Sequence, residues 1–99
     1  MEAARLQLPA ELTHAQARAC ARALNAGIGA VVQPRVDVDA SALQTFDSSA
    51  LAVLLEGRRA ALAAGKTFAV TGLPAGLQSL AALYGVRALL EPEAGTPAH

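Results

Sequence analysis

Apolar positions along the chain follow two spacings, and segments of one spacing alternate with segments of the other. Alternating or short apolar runs, which are typical of strands, occur at residues 5–8, 35–40 and 67–71. Spacings of three and four residues, which are typical of helices, occur at residues 14–25, 48–64 and 74–84. Strands that alternate with helices predict a single α/β domain in which helices pack against a small mixed sheet.

Glycine and proline mark the predicted ends of these elements. The run Asn25-Ala26-Gly27 predicts the end of the first helix, so residues 28–34 are expected to form an irregular connection. Residues 88–90 are predicted to add a last short strand. The polar residues 91–99, which contain proline and glycine, are expected to be a flexible C-terminal tail behind a domain of residues 1–90.

The composition restricts the classes of partner. Eight basic and eight acidic residues give a net charge of zero, and only three residues are aromatic, so no nucleic-acid partner is expected. The single cysteine, Cys20, cannot form an internal disulfide and suits a reducing compartment. No signal-peptide segment and no apolar run near the roughly 20 residues of a membrane span is present. These features predict a cytoplasmic domain without direct membrane insertion.

Residues with catalytic or metal-binding chemistry are few and do not form a known pattern. His14 lies in a predicted helix start and His99 is the last residue, so they have no ligand spacing with Cys20. Asp37 and Asp39 share a strand face, but no acid or base partner accompanies them, and Asp39 is expected to hold a loop. The sequence therefore predicts no enzyme, no bound metal and no cofactor.

The second predicted helix begins with Asp47-Ser48-Ser49, which is the most informative local feature of the chain. Asp and Ser are preferred helix N-caps, so a cap alone would explain them. A carboxylate and two hydroxyls beside unpaired N–H groups also suit a regulatory phosphate or a docking contact. A hydroxyl in a first turn can organise a docking loop without being modified.

The same helix has an unusual predicted outer face. Its apolar side, which is expected to face the sheet, consists of Leu51, Leu54, Leu55, Ala61 and Leu62. The opposite side consists of Val53, Gly57, Ala60 and Ala64. Small apolar residues replace the usual charged ones there, and a glycine inside a helix costs about 1 kcal/mol relative to alanine. Either a protein partner packs closely on this face, or the sequence is simply rich in alanine.

Three segments together resemble a known family. Asp47-Ser48-Ser49-Ala50-Leu51 matches four of the five positions of the Asp-Ser-Ser-Gly-Leu signature of STAS domains, with Ala50 in place of glycine. Upstream, Val38-Asp39-Ala40-Ser41 resembles the strand that leads into that signature. Downstream, Leu80-Ala81-Ala82-Leu83-Tyr84 is similar to the helix of the MlaB group, the small STAS subunits of Mla phospholipid-transport ABC complexes.

The resemblance implies a STAS-type fold and a non-enzymatic role. It implies an accessory subunit that docks on an MlaF-like ATPase within a membrane complex with a permease, and so lies at the inner side of the inner membrane. The alternative within the family is an anti-sigma factor antagonist that is switched by phosphorylation of Ser48. With the outer helix face added, the expected partner-binding or regulatory residues are Asp47, Ser48, Ser49, Ala50, Val53, Gly57 and Ala60.

Overall fold

A computed structural model of the protein describes residues 4–90. The strands are β1 (Ala4–Gln7), β2 (Glu11–Leu12), β3 (Arg35–Asp39), β4 (Thr45–Phe46) and β5 (Thr67–Thr71). The helices are α1 (His14–Ala30), α2 (Ser48–Ala63), α3 (Ala75–Leu83) and α4 (Arg87–Leu90). The expected tail, residues 91–99, lies outside the described residues.

The strands form one three-stranded sheet in the order β1-β3-β5 and a separate pair, β2-β4. The prediction of an α/β domain with helices packed on a sheet is confirmed. The sheet was expected to be mixed, but every pairing among the described strands is parallel. The reason is the connectivity, because α1 joins β1 to β3 and α2 joins β3 to β5, and a helical crossover returns the chain in the same direction.

The core lies between one face of the sheet and the helices. Val36 and Val38 of β3 are fully buried, and they align with Phe68 and Val70 of β5 in the parallel register. Because side chains alternate across a strand, these four residues share one face. On β1, Leu6 is in register with Val38 and extends the same apolar row.

Helix α1 does not end at the predicted stop but continues to Ala30, so the expected irregular start of the connection was wrong. Ile28 is only 1% exposed and belongs to the core. Burial of such a side chain contributes about 1.5–3 kcal/mol. That offsets the roughly 1 kcal/mol cost of each helical glycine. Gly27 also has a packing reason, because a Cβ there would lie 3.3 Å from both methyl carbons of Leu6.

The C-terminal residues also differ from the prediction, because residues 87–90 form helix α4 and not a strand. Gly85, with φ +72°, turns the chain at the end of α3, and the N–H of Val86 donates to the carbonyl of Ala81. The chain therefore stays beside α3, and Leu90 is buried in the core. A three-residue apolar run fits a strand or a helix equally, and here it forms a helix that buries Leu90 and leaves Leu89 exposed.

Candidate functional site

The candidate site lies where β3 ends and the chain turns into α2. The N–H of Ala40 donates to the carbonyl of Thr71 over 2.8 Å, which holds the end of β3 to β5. Asp39 accepts a hydrogen bond from the N–H of Ser41 over 2.9 Å. Hydrogen bonding from the side chain and backbone of Ser41 lowers the pKa of Asp39 below its usual value. The expectation that Asp39 holds a loop is confirmed.

Asp37, the other half of the apparent carboxylate pair, serves a different purpose. Its Oδ1 accepts a hydrogen bond from Nε of Arg35 over 3.1 Å, and the residue is buried. A buried carboxylate needs such a partner because an unpaired charge is costly away from water. Asp37 and Asp39 therefore share a strand face without forming a chemical site.

The turn after β5 packs directly against the loop after β3. Gly72 has φ +69°, a backbone conformation that side chains disfavour, and a Cβ there would lie 2.9 Å from Cβ of Ser41. Only glycine fits this position without displacing the loop. The two chain segments that leave the sheet beside the site are thus fixed to each other.

A second contact holds the starts of α1 and α2 side by side. Strands β2 and β4 pair in parallel, so that Glu11 is in register with Thr45 and Leu12 with Phe46. The carbonyl of Ala10 accepts hydrogen bonds from Gln44 over 2.7 Å and from Thr45 over 3.0 Å. These strands were missing from the sequence prediction because two residues show no periodicity. They place the residues that precede the two helices in register.

The N-terminus of α1 is capped by Thr13 and Gln16. The N–H of Thr13 donates to Oε1 of Gln16 over 2.8 Å, and the Thr13 hydroxyl donates to the same oxygen over 2.7 Å. Thr13 and Gln16 thus form a capping box at the start of α1. The next donor, the N–H of His14, has no partner within its own helix.

Asp47 supplies that partner as well as capping α2. Its Oδ1 accepts from the N–H of Ser49 over 2.8 Å, and its Oδ2 accepts from the N–H of His14 over 3.1 Å. The bond from Ser49, followed by the bond from His14, lowers the pKa of the Asp47 carboxyl below its usual value. One carboxylate therefore joins the first turns of two helices that are 33 residues apart in sequence.

The structure brings Asp47, Ser48 and Ser49 together at the start of α2, as the sequence predicts. Ser48 is exposed, and its side chain makes no hydrogen bond within residues 4–90. Ser49 is half-buried. The Ser48 hydroxyl is thus the one that a partner or a modifying enzyme can reach.

Three other predicted contact residues are not available to a partner. Ala50, which was expected to bind a partner as part of the signature, is buried within the domain. Val53 and Gly57 are buried as well, so their predicted place on an outer face was wrong. Helix α1 packs along that side of α2, and a Cβ at Gly57 would lie 2.7 Å from Cδ2 of Leu24. The small residues serve close packing between two helices of the same chain. Ala60 is half-buried at the margin of this contact.

The exposed side of α2 is a different stripe. Its exposed residues are Ser48, Ala52, Arg59, Leu62 and Ala63. Leu62, which was expected to face the sheet, is 47% exposed, and Leu55 is half-buried. Arg59 forms an ion pair with Glu56 one turn earlier, so the charges on this stripe neutralise each other. Near Ser48 the stripe is small and uncharged.

The clearest concave surface lies elsewhere and is mostly apolar. A groove of about 580 Å³ between β1 and α1 is lined by Leu6, Leu8, Cys20 and Leu24 among others. Burial raises the pKa of the Cys20 thiol, which keeps it protonated and weakly nucleophilic. Within residues 4–90, no group of three His, Cys, Asp or Glu side chains is arranged to hold a metal ion.

A comparison with known protein families assigns the chain to one of them. A family model described as "Mlab, STAS domain" matches residues 1–91. The chain belongs to the STAS domain family. The predicted membership of the STAS family is thereby confirmed, and the description of the family model agrees with the resemblance to the MlaB group. No curated protein sequence matches the chain closely.

In this STAS domain the signature residues Asp47, Ser48 and Ser49 open α2 at the carboxyl-terminal end of the parallel sheet. Among residues 4–90, none of the helices has the length and apolar character needed to cross a membrane.

Proposed function

We propose that this STAS domain is a non-enzymatic accessory subunit of an Mla-type phospholipid ABC transporter. It docks on the MlaF-like ATPase subunit, and through that partner it lies at the inner side of the inner membrane. The observation that carries the proposal is the exposed Ser48, held at a fixed helix start within a domain that matches the MlaB description.

The surface around Ser48 suits a protein contact. Ser48 and Ala52 are exposed, small and uncharged, so a partner can approach the helix closely without desolvating a charge. The surrounding backbone is held by Asp47, by the β2-β4 pair and by the contact of Gly72 with Ser41. A surface that is already ordered loses little conformational entropy on binding. Binding that favours one state of the ATPase would bias its cycle.

This subunit is not expected to catalyse a reaction, because its carboxylate and thiol side chains are not arranged for catalysis. The carboxylates of Asp39 and Asp47 accept hydrogen bonds from backbone N–H groups and are used to hold the loop. The thiol of Cys20 is protonated and lines the groove between β1 and α1, which Ser48 does not line. A general base poised beside a nucleophile is therefore missing from the site that the described residues form.

A second candidate function is that of an anti-sigma factor antagonist, and the exposed Ser48 hydroxyl favours it too. A phosphate on Ser48 would lie at a helix N-terminus, where N–H groups and the helix dipole stabilise negative charge. The added charge would then break binding to the partner. In this case the partner is a regulatory kinase and not a transporter ATPase.

Binding assays with three serine variants test the proposal. We expect Ser48→Asp to weaken binding to the ATPase subunit at least about tenfold, or about 1.4 kcal/mol, because a buried contact does not solvate the new charge. Ser48→Thr keeps the hydroxyl and should bind like wild type. Ser79→Asp, at an exposed serine of α3, is the matched control and should also bind normally.

The same variants separate the two functions. Binding to a serine kinase, together with phosphoserine at position 48 in protein from growing cells, would support the antagonist function. Normal ATPase binding by Ser48→Asp would show that docking does not involve this loop.

A further inference from the structure

We propose that Asp47 is a positioning residue that makes the first turns of α1 and α2 a single docking surface. The proposal rests on the proposed docking at Ser48 and extends it to a second helix. It assigns Asp47 more than the capping of its own helix, and it adds His14 and Ala15 to the surface that the partner covers.

Asp47 uses both of its carboxylate oxygens as hydrogen-bond acceptors. Oδ1 receives the N–H of Ser49 over 2.8 Å, and Oδ2 receives the N–H of His14 over 3.1 Å. Capping of α2 needs only the first bond, and serine, threonine or asparagine can provide it. The second bond needs another acceptor on the same side chain, which only a carboxylate offers in this position.

The β2-β4 pair and the hydrogen bonds next to it reinforce the link between α1 and α2. The register of Leu12 with Phe46 and the two hydrogen bonds to the Ala10 carbonyl hold the chains that enter α1 and α2 next to each other. The Asp47 carboxylate closes this arrangement at the helices themselves. A shift of α1 must therefore move the backbone that carries Ser48.

Residues in the first turns of both helices are exposed to solvent. His14 and Ala15 in the first turn of α1 are exposed, as Ser48 is in the first turn of α2. Neither helix has an acidic residue in its first turn. A partner surface that covers Ser48 would meet an exposed first turn of α1, and the Asp47 carboxylate between the two turns already accepts backbone hydrogen bonds. The two first turns together form a broader contact than the Ser48 loop alone.

Two variants remove the link from opposite sides. Asp47→Asn keeps an acceptor for Ser49 but places an amino group where His14 needs an acceptor. His14→Pro deletes the N–H donor, and proline is well tolerated at the first position of a helix. Thr13, with φ −106° and ψ −173°, already has the extended conformation that a following proline requires. His14→Ala is the control, because it removes the imidazole and keeps the N–H.

The first measurement uses the isolated protein. We expect NMR order parameters of the Ser48 and Ser49 amides to fall in both Asp47→Asn and His14→Pro, and to stay unchanged in His14→Ala. If Asp47 only caps α2, His14→Pro leaves both amides ordered, and that result would overturn the proposal.

The second measurement is a double-mutant cycle for binding to the ATPase subunit. We expect Asp47→Asn and His14→Pro each to weaken binding about tenfold, and the double variant to be no weaker than either one. Independent, additive losses or normal binding by His14→Pro would overturn the proposal. If wild type does not bind the ATPase, the proposed function fails and the docking role of Asp47 fails with it. The amide order would still show separately whether the two helices are coupled.

Discussion

At the scale of single residues, the charge of Asp47 decides how strongly the site is held. The carboxylate accepts backbone hydrogen bonds from Ser49 and His14, and these bonds favour its ionised form. Asp39 is held in the same way by Ser41 one loop earlier. The site thus relies on two ionised side chains whose partners are backbone amides, so protonation weakens the loop without disturbing the core.

This arrangement predicts a pH-dependent effect of Asp47→Asn on stability. The folded pKa of Asp47 lies below its unfolded value of 3.8, so its stabilising contribution is present above that value. The contribution is lost as the pH falls through the folded pKa. We therefore expect the stability difference between wild type and Asp47→Asn to be present at pH 5 and to shrink in more acid solution, as measured by urea unfolding.

Glu11→Gln is the control for that experiment. Glu11 is exposed and makes no side-chain hydrogen bond among the described residues, so its replacement should change the unfolding free energy little at any pH. A difference for Asp47→Asn that persists undiminished to pH 2 would show that the charge of Asp47 does not hold the site.

At the scale of elements, the contact between α1 and α2 determines which side of α2 is free. Gly57 lies against Leu24 of α1, and Val53 is buried nearby. Val53 and Gly57, which the sequence predicted on a docking face, therefore belong to the interior. A large substitution at Gly57 would damage the fold before it tested any partner.

We predict that Gly57→Val destabilises the fold by about 2 kcal/mol. The new Cβ would lie 2.7 Å from Cδ2 of Leu24, and overpacking of this kind costs about 1–3 kcal/mol, which exceeds the small gain in helix propensity. Gly29→Ala in α1 is the matched control, because nothing lies within 4 Å of its Cβ. That variant should be more stable by up to about 1 kcal/mol. Urea unfolding of both variants gives the sign of each change in stability. An unchanged stability of Gly57→Val would mean that α1 and α2 can move apart to accommodate the new side chain.

These elements also show what the sequence could and could not predict. The helix start at Asp47-Ser48-Ser49 depends on local capping chemistry, so the sequence was sufficient for it. The inward direction of Gly57 depends on where α1 packs, and local spacing contains no such information. The link from Asp47 to His14 could not be predicted either, because it joins residues 33 positions apart through a two-residue strand pair.

At the scale of the whole molecule, two strongly exposed apolar residues, Leu83 and Tyr84, lie at the end of α3. Helix α3 begins beside β4, since a Cβ at Gly76 would lie 3.3 Å from Cζ of Phe46. It ends after nine residues at Leu83, which is 76% exposed, followed by Tyr84 at 58%. A helix of that length spans about 13 Å, so the domain offers two separate surfaces, one polar and fixed, the other apolar.

Hydrogen exchange in the presence of the ATPase subunit distinguishes these surfaces. We expect slower amide exchange in residues 13–18 and 44–52, which contain the first turns of α1 and α2, and unchanged exchange in residues 83–90. Binding at a partner concentration of 100 times Kd should also stabilise the fold by about 2.7 kcal/mol, which slows globally exchanging core amides equally. The informative quantity is therefore the difference in amide protection between residues 13–18 and 44–52 on one side and residues 83–90 on the other. Protection confined to residues 83–90 would place the docking surface at Leu83 and Tyr84, and Ser48 would then be a helix-start residue without a partner.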